Sequence, residues 1–140
     1  MCIQSLQPPV ATDRLILRSA VMADGQARAV VAFDIEHRRF GPIGRLDFHE
    51  AAPRRPELDI WLDQPFRGRG YGTEAMTAAL RWAGQDWRRG AVWSGHAADD
   101  AAAGQALCKA GFLYTGDVVR KASDVRGGQV APTRMMVWLA

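Results

Sequence analysis

The stretch Glu57-Leu-Asp-Ile-Trp-Leu-Asp-Gln-Pro-Phe-Arg-Gly-Arg-Gly-Tyr-Gly-Thr-Glu-Ala-Met76 decides the reading of this chain. Its first six residues alternate. Leu58, Ile60 and Leu62 point one way and Glu57, Asp59 and Trp61 the other, which predicts a strand. From Thr73 to Ala83 the apolar residues Ala75, Met76, Ala79, Leu80 and Ala83 fall at helical spacing. Between strand and helix lie Gly68, Gly70 and Gly72. Glycines let backbone amides approach a ligand without side-chain obstruction. A helix start adds unpaired N–H groups and the positive end of a dipole. Together they suit a pyrophosphate. A Walker A loop is excluded, because no Gly-Lys-Ser/Thr follows. A dinucleotide fingerprint fits poorly: the spacing is GxGxG, and Asp86 stands too close behind it.

Outward from this core, 14–18, 29–35 and 43–48 read as strands, the last two forming a hairpin around Gly41-Pro42. Residues 91–94 continue the β pattern. Asp99 or Asp100 opens a second helix that runs to about Ala110 and stops at Gly111. Residues 112–119 and 133–139 are further strands, with 120–132 loop-like and 1–11 a loose lead-in. The order ββββαβαββ defines an α/β chain with a mixed sheet, in one domain spanning 1–140.

Arg67-Gly-Arg-Gly-Tyr-Gly72 matches the Q/R-x-x-G-x-G/A motif of the GNAT superfamily of N-acetyltransferases. Thr12-Asp-Arg-Leu-Ile-Leu-Arg18, the 57–75 string and Lys109-Ala-Gly-Phe112 follow in the expected order. They resemble the branch that includes ribosomal-protein N-terminal acetyltransferases. The resemblance implies a mostly antiparallel central sheet, flanked by helices and splayed between the strands at 57–62 and 91–94. It implies acetyl-CoA as co-substrate, held by Arg67, Gly68, Arg69, Gly70, Tyr71, Gly72 and Thr73. An amide near Leu62, helped by a strand irregularity near Asp63, would polarise the thioester carbonyl. Glu57 stands where relatives place a general base. Asp100 stands where many carry a cofactor-contacting Asn, so it is expected mainly as an N-cap. Leu107 replaces a Tyr general acid, for which Tyr114 is a substitute. The acceptor would be a small-molecule amine or a peptide N-terminus. Relatives place two helices between the first two strands; here only the ten residues Ser19 to Arg28 lie there. The acceptor side is therefore expected to be unusually open.

The remaining features bound the function. Hydrophobic residues make up 48% and charged residues 24%, which suits a globular fold and not a disordered one. No apolar run approaches a membrane span, and no secretion signal is read at the N-terminus. A cytoplasmic protein is expected, with two cysteines that make no disulfide framework. Cys108 reads as a small packed residue. No metal site is expected: His37, His49 and His96 lack ligand spacing, although His96 ends a strand beside the cleft. The net charge of +3 comes from dispersed arginines, which argues against a nucleic-acid surface. A homodimer through the last strand is compatible with the pattern. Asp100, Leu107 and Ala103, which stands where many relatives carry Ser, also fit a non-catalytic acyl-CoA-binding or sensing module.

Overall fold

The computed structural model describes residues 7–20, 29–122 and 129–140. The described strands are β1 (Val10–Ala11), β2 (Leu15–Ser19), β3 (Ala29–His37), β4 (Gly41–Ala52), β5 (Arg55–Leu62), β6 (Ala91–Ala97), β7 (Leu113–Ala122) and β8 (Val130–Leu139). A 3₁₀ turn at Gln64–Phe66 leads to α1 (Tyr71–Gln85), and α2 (Ala101–Lys109) follows β6. The eight strands form one sheet in the order β1-β2-β3-β4-β5-β6-β8-β7. Every neighbouring pair is antiparallel except β5 and β6.

Both helices lie on one face of the sheet, because the apolar side of each strand points there. Leu15, Leu17, Phe33, Ile35, Ile43, Leu46, Phe48, Leu58 and Val92 are buried in one cluster with the α1 stripe Ala75, Met76, Ala79, Leu80 and Ala83. That stripe is the i, i+3, i+4 pattern of an amphipathic helix. Trp82 extends it. Its ring meets Phe33 edge-on at 5.1 Å and stacks on Trp87 at 5.6 Å. Helix α2 is capped as its sequence suggests. The Asp100 carboxylate accepts from the Ala103 N–H at 3.1 Å, and Gly111 takes a left-handed φ of 104° just past the end.

Three expectations need correction. The lead-in is structured at Val10–Ala11, which pair with Leu17 and Ile16. The 120–132 stretch is strand at both its ends, since Arg120 pairs with Pro132 and Ala122 with Val130. Pro132 is tolerated because its carbonyl serves Ala98 N–H instead of the β7 ladder. Third, β5 keeps unbroken register with β4 from Glu57 to Leu62, so β5 itself has no bulge before Asp63; the irregularity there lies in β4, where Ile43, which accepts the Asp63 N–H, has no partner on β3. Strand β5 simply ends in the 3₁₀ turn. The shortened link between β2 and β3 falls at 21–28, outside the described residues.

Gly44 sets how closely the end of β5 approaches β4. A Cβ there would sit 2.2 Å from the Trp61 carbonyl oxygen and 2.9 Å from Leu62 Cδ2. Gly44→Ala is expected to cost about 1–3 kcal/mol through this overpacking, read as a lower urea midpoint with an unchanged slope. An unaltered midpoint would show that β5 can move away freely.

Candidate functional site

The site begins with a break in the sheet. Strands β5 and β6 run parallel and share a single paired position, Glu57 with Trp93. One residue further on, the Ser94 hydroxyl donates to the Leu58 carbonyl at 2.9 Å, a side chain standing in for a backbone donor. Beyond that the strands part. The Asp63 N–H donates to Ile43 O at 2.8 Å, which sets the phase of the β4 ladder. Antiparallel pairs alternate, so the backbone groups of Leu58, Ile60 and Leu62 face away from β4 and into the gap. This is the splay expected between the strands at 57–62 and 91–94.

The glycine loop closes the wide end of that gap. Gly68 and Gly70 have φ of 74° and 84°, which side-chain-bearing residues rarely adopt. Gly70 is the N-cap of α1 and offers no side-chain cap, so the first amides of the helix stay free for a ligand. Arg69 Nε donates to Pro65 O at 3.1 Å, and Arg67 Nε to Leu62 O at 2.8 Å. Arg67 also lies over the Trp61 ring, 4.3 Å from its centroid. Tyr71 is buried against Phe66 and His37, so it brings to the loop its backbone N–H and not its ring.

A brace behind the loop was not read from sequence as a functional feature. Glu74 in the first turn of α1 accepts from Thr12 Oγ1 at 2.6 Å, from Arg14 N at 2.8 Å and from Arg14 Nε at 2.7 Å. Arg14 reaches on to the Arg69 carbonyl at 3.3 Å and lies over the Tyr71 ring at 4.4 Å. The Thr12-x-Arg14 spacing is the only trace of this in the sequence. Its partner is sixty residues away. Burial pushes the Glu74 carboxyl up, but the hydrogen bonds from Thr12 and Arg14 outweigh it and hold it below the usual range.

At the joined end of the gap, Glu57 is 5% exposed. Its carboxylate pairs with the Lys121 ammonium at 2.5 Å, and His49 Nε2 lies 3.8 Å away. In a flat sheet β7 stands three strand spacings, about 14 Å, from β5. Lys121 nonetheless contacts Glu57, so the β7–β8 ribbon must bend out of a flat sheet toward the Glu57 face. His49 Nδ1 is 3.5 Å from Asp47 and 3.4 Å from Asp59. Pairing with Asp47 raises the His49 pKa above the ordinary histidine value. Burial opposes the rise, and Asp59 and Glu57 add to it. Ligand atoms of Asp47, His49 and Asp59 fall within 4.8 Å of one another. Sequence spacing missed this group because its members come from β4 and β5. The His49 imidazole sits between the two carboxylates, which favour its protonated form.

Other candidates sit elsewhere. His96 Nδ1 is 2.7 Å from Ala97 O and its Nε2 2.8 Å from Tyr114 Oη. Since a carbonyl only accepts, a neutral His96 carries its proton on Nδ1 and takes the Tyr114 hydroxyl proton's hydrogen bond at Nε2. The pair is packed under Gly104 of α2. Tyr114 is thus engaged by His96, and both line a surface hollow beside α2 with Gly104, Gln105 and Arg134. Cys108 is exposed, not packed. Gly104 and Leu107 face the sheet, and the next helical position turns outward. Asp100 is spent on its cap. Among the described residues no helix is long and apolar enough to cross a membrane.

A family model described as an acetyltransferase (GNAT) domain matches residues 4–113. The chain belongs to the GNAT acetyltransferase family. Among solved structures it is similar to one described as a putative ribosomal-protein-serine acetyltransferase from Vibrio cholerae, with TM-score 0.74 and 13% identity over 94% of this chain and 97% of that one. It is similar to a GNAT-family acetyltransferase from Bacillus anthracis, with TM-score 0.75 and 13% identity over 94% and 98%. It is also similar to RimL, a ribosomal L7/L12 alpha-N-protein acetyltransferase in complex with coenzyme A, with TM-score 0.75 and 14% identity over 94% and 98%. No curated protein matches it in sequence.

The Glu74 brace has a pH signature. A carboxyl held low in the folded chain stabilises it above the unfolded value of about 4.5 and loses that contribution as pH falls through the folded value. Glu74→Gln is therefore expected to lower stability at neutral pH and to flatten the acid limb below about pH 4.5, measured by urea melts across pH. Parallel curves for the two proteins would remove Glu74 as an acid-sensitive tie.

Proposed function

We propose that this GNAT acetyltransferase moves an acetyl group from acetyl-CoA to a primary amine by direct attack in a ternary complex. The supporting observation is the gap. Its wide end carries the free amides of an uncapped helix, its edge carries unused backbone groups, and its joined end carries a buried carboxylate. The amides of Gly68, Gly70, Tyr71, Gly72 and Thr73 take the pyrophosphate, with the Arg67 and Arg69 guanidinium groups beside it. The pantetheine arm extends the β5 edge and pairs with the backbone of Ile60, as an added strand would, the Leu62 carbonyl being held by Arg67. Asp100 keeps its capping role beside this path.

A backbone N–H at Leu62 then polarises the thioester carbonyl. It stabilises the charge that develops on oxygen as nitrogen attacks. Glu57 takes the proton that the amine must lose. A thiol of pKa about 8.5 leaves as thiolate without a dedicated acid, which suits Leu107 in place of a tyrosine and Tyr114 held by His96. Relatives in structure are described as acting on a ribosomal-protein N-terminus and on spermidine, and both are amines. The exposed Asp59 and part-exposed Asp47 beside Glu57 suit a protonated amine arriving from solvent.

The test is coenzyme A release, followed with a thiol reagent, across amines and N-terminal peptides. Glu57→Gln is expected to lower kcat by about a hundredfold or more while calorimetry shows acetyl-CoA affinity unchanged. Equal turnover in the variant would remove Glu57 from the mechanism. Tight acetyl-CoA binding with no transfer to any acceptor would favour a sensing module.

A further inference from the structure

The Lys121 ammonium occupies the place the mechanism reserves for an acceptor. An amine is paired directly with the proposed base, at the joined end of the gap. It arrives there from β7 because the β7–β8 ribbon curls over that face. We infer that Lys121 is an acetylation site of the enzyme itself, modified within the same molecule when acetyl-CoA is bound. The inference rests on the reading of Glu57 as base and of the β5–β6 gap as the acetyl-CoA channel.

Three observations carry it. First, the open edge of β5 begins past Leu58, whose carbonyl is filled by Ser94, and runs through Ile60 to Leu62, three to five residues or about 10–17 Å along the strand from Glu57. Second, the Lys121 side chain is 41% exposed. It is anchored by one ion pair and is free to swing between Glu57 and that edge on a nanosecond scale. Third, Glu57 is 6% exposed at its side chain, and Lys121 is its one direct hydrogen-bonding cation among the described residues, with His49 further off at 3.8 Å. The same contact that satisfies Glu57 therefore delivers an amine to it.

The chemistry balances with acetyl-CoA as the sole co-reactant. The ammonium gives one proton to the Glu57 carboxylate, and the freed lone pair on Nζ attacks the thioester carbonyl carbon. A C–N bond forms and a tetrahedral adduct results. Its collapse breaks the C–S bond, with the electron pair leaving on sulfur. The nitrogen loses its second proton to the departing thiolate, and Glu57 returns the first to solvent. The products are N-acetyl-lysine and free coenzyme A. The neutral amide no longer pairs with Glu57, so the modified chain presents an unoccupied carboxylate to an external amine.

The sequence supplies its own control. The chain holds two lysines, Lys109 and Lys121. Lys109 is exposed in the last turn of α2. It reports the chemical background of acetyl-CoA with a surface amine. The experiment incubates the full chain with acetyl-CoA and no acceptor. Digestion at non-lysine sites and mass spectrometry then follow each lysine with time. Lys121 is expected to be acetylated about a hundredfold faster than Lys109, as proximity predicts. The rate should be independent of protein concentration, and Glu57→Gln should slow it without affecting Lys109. Lys121→Arg keeps a cation for Glu57 and controls for folding. It should gain no acetyl group at position 121.

Equal labelling of the two lysines would overturn the inference, as would a rate that rises with protein concentration. Transfer to external amines with Lys121 left unmodified would also overturn it, while leaving the amine-acetyltransferase reading in place. Absence of coenzyme A release with any acceptor, Lys121 included, would overturn both.

Discussion

The structure turns on the one paired position that joins β5 to β6. Every other strand pair in the sheet is antiparallel and paired over several residues or by a short extension. At Glu57 and Trp93 two parallel strands meet, and the Ser94 hydroxyl carries the join one residue further. Past that point the backbone groups of β5 have a direction but no strand to face. A sheet interior normally leaves no such edge. The edge persists because β4 holds β5 firmly on its other side, up to Leu62, and because α1 covers the apolar face.

Once that edge exists, the rest of the site is arranged around it. The glycine loop must turn back sharply to place the start of α1 at the wide end, and the positive φ values at Gly68 and Gly70 achieve that turn. The turn is held from outside by Arg14 and Glu74, whose hydrogen bonds tie β2 to the first turn of α1. At the narrow end the constraint is electrostatic. A carboxylate as buried as Glu57 needs a cation or several donors, and Lys121 reaches it from a ribbon that would lie far away in a flat sheet. His49 adds positive charge to the same cluster when protonated, with its own proton held by Asp47.

Much of this was legible beforehand. The alternation of Glu57–Leu62, the triple glycine loop and the α1 stripe are local patterns, and local geometry enforces them. The Asp100 cap and the Gly111 stop are legible for the same reason. Cys108 was misread because helical phase near a short helix's end depends on where the helix docks. The strand ends at 120–122 and 130–132 were missed because charged residues and a proline suit an edge ribbon as well as a loop.

The sequence by itself determined the order of the central elements, the glycine-rich turn ahead of α1 and the place of Glu57 on β5. Each follows from residue spacing within a few positions. Only the tertiary structure decided what surrounds that acid. Lys121, His49, Asp47 and Asp59 come from three strands, and Arg14 meets Glu74 across sixty residues. Such contacts depend on sheet order and on the curl of the β7–β8 ribbon. Those are properties of packing over the whole chain, and no window of neighbouring residues encodes them.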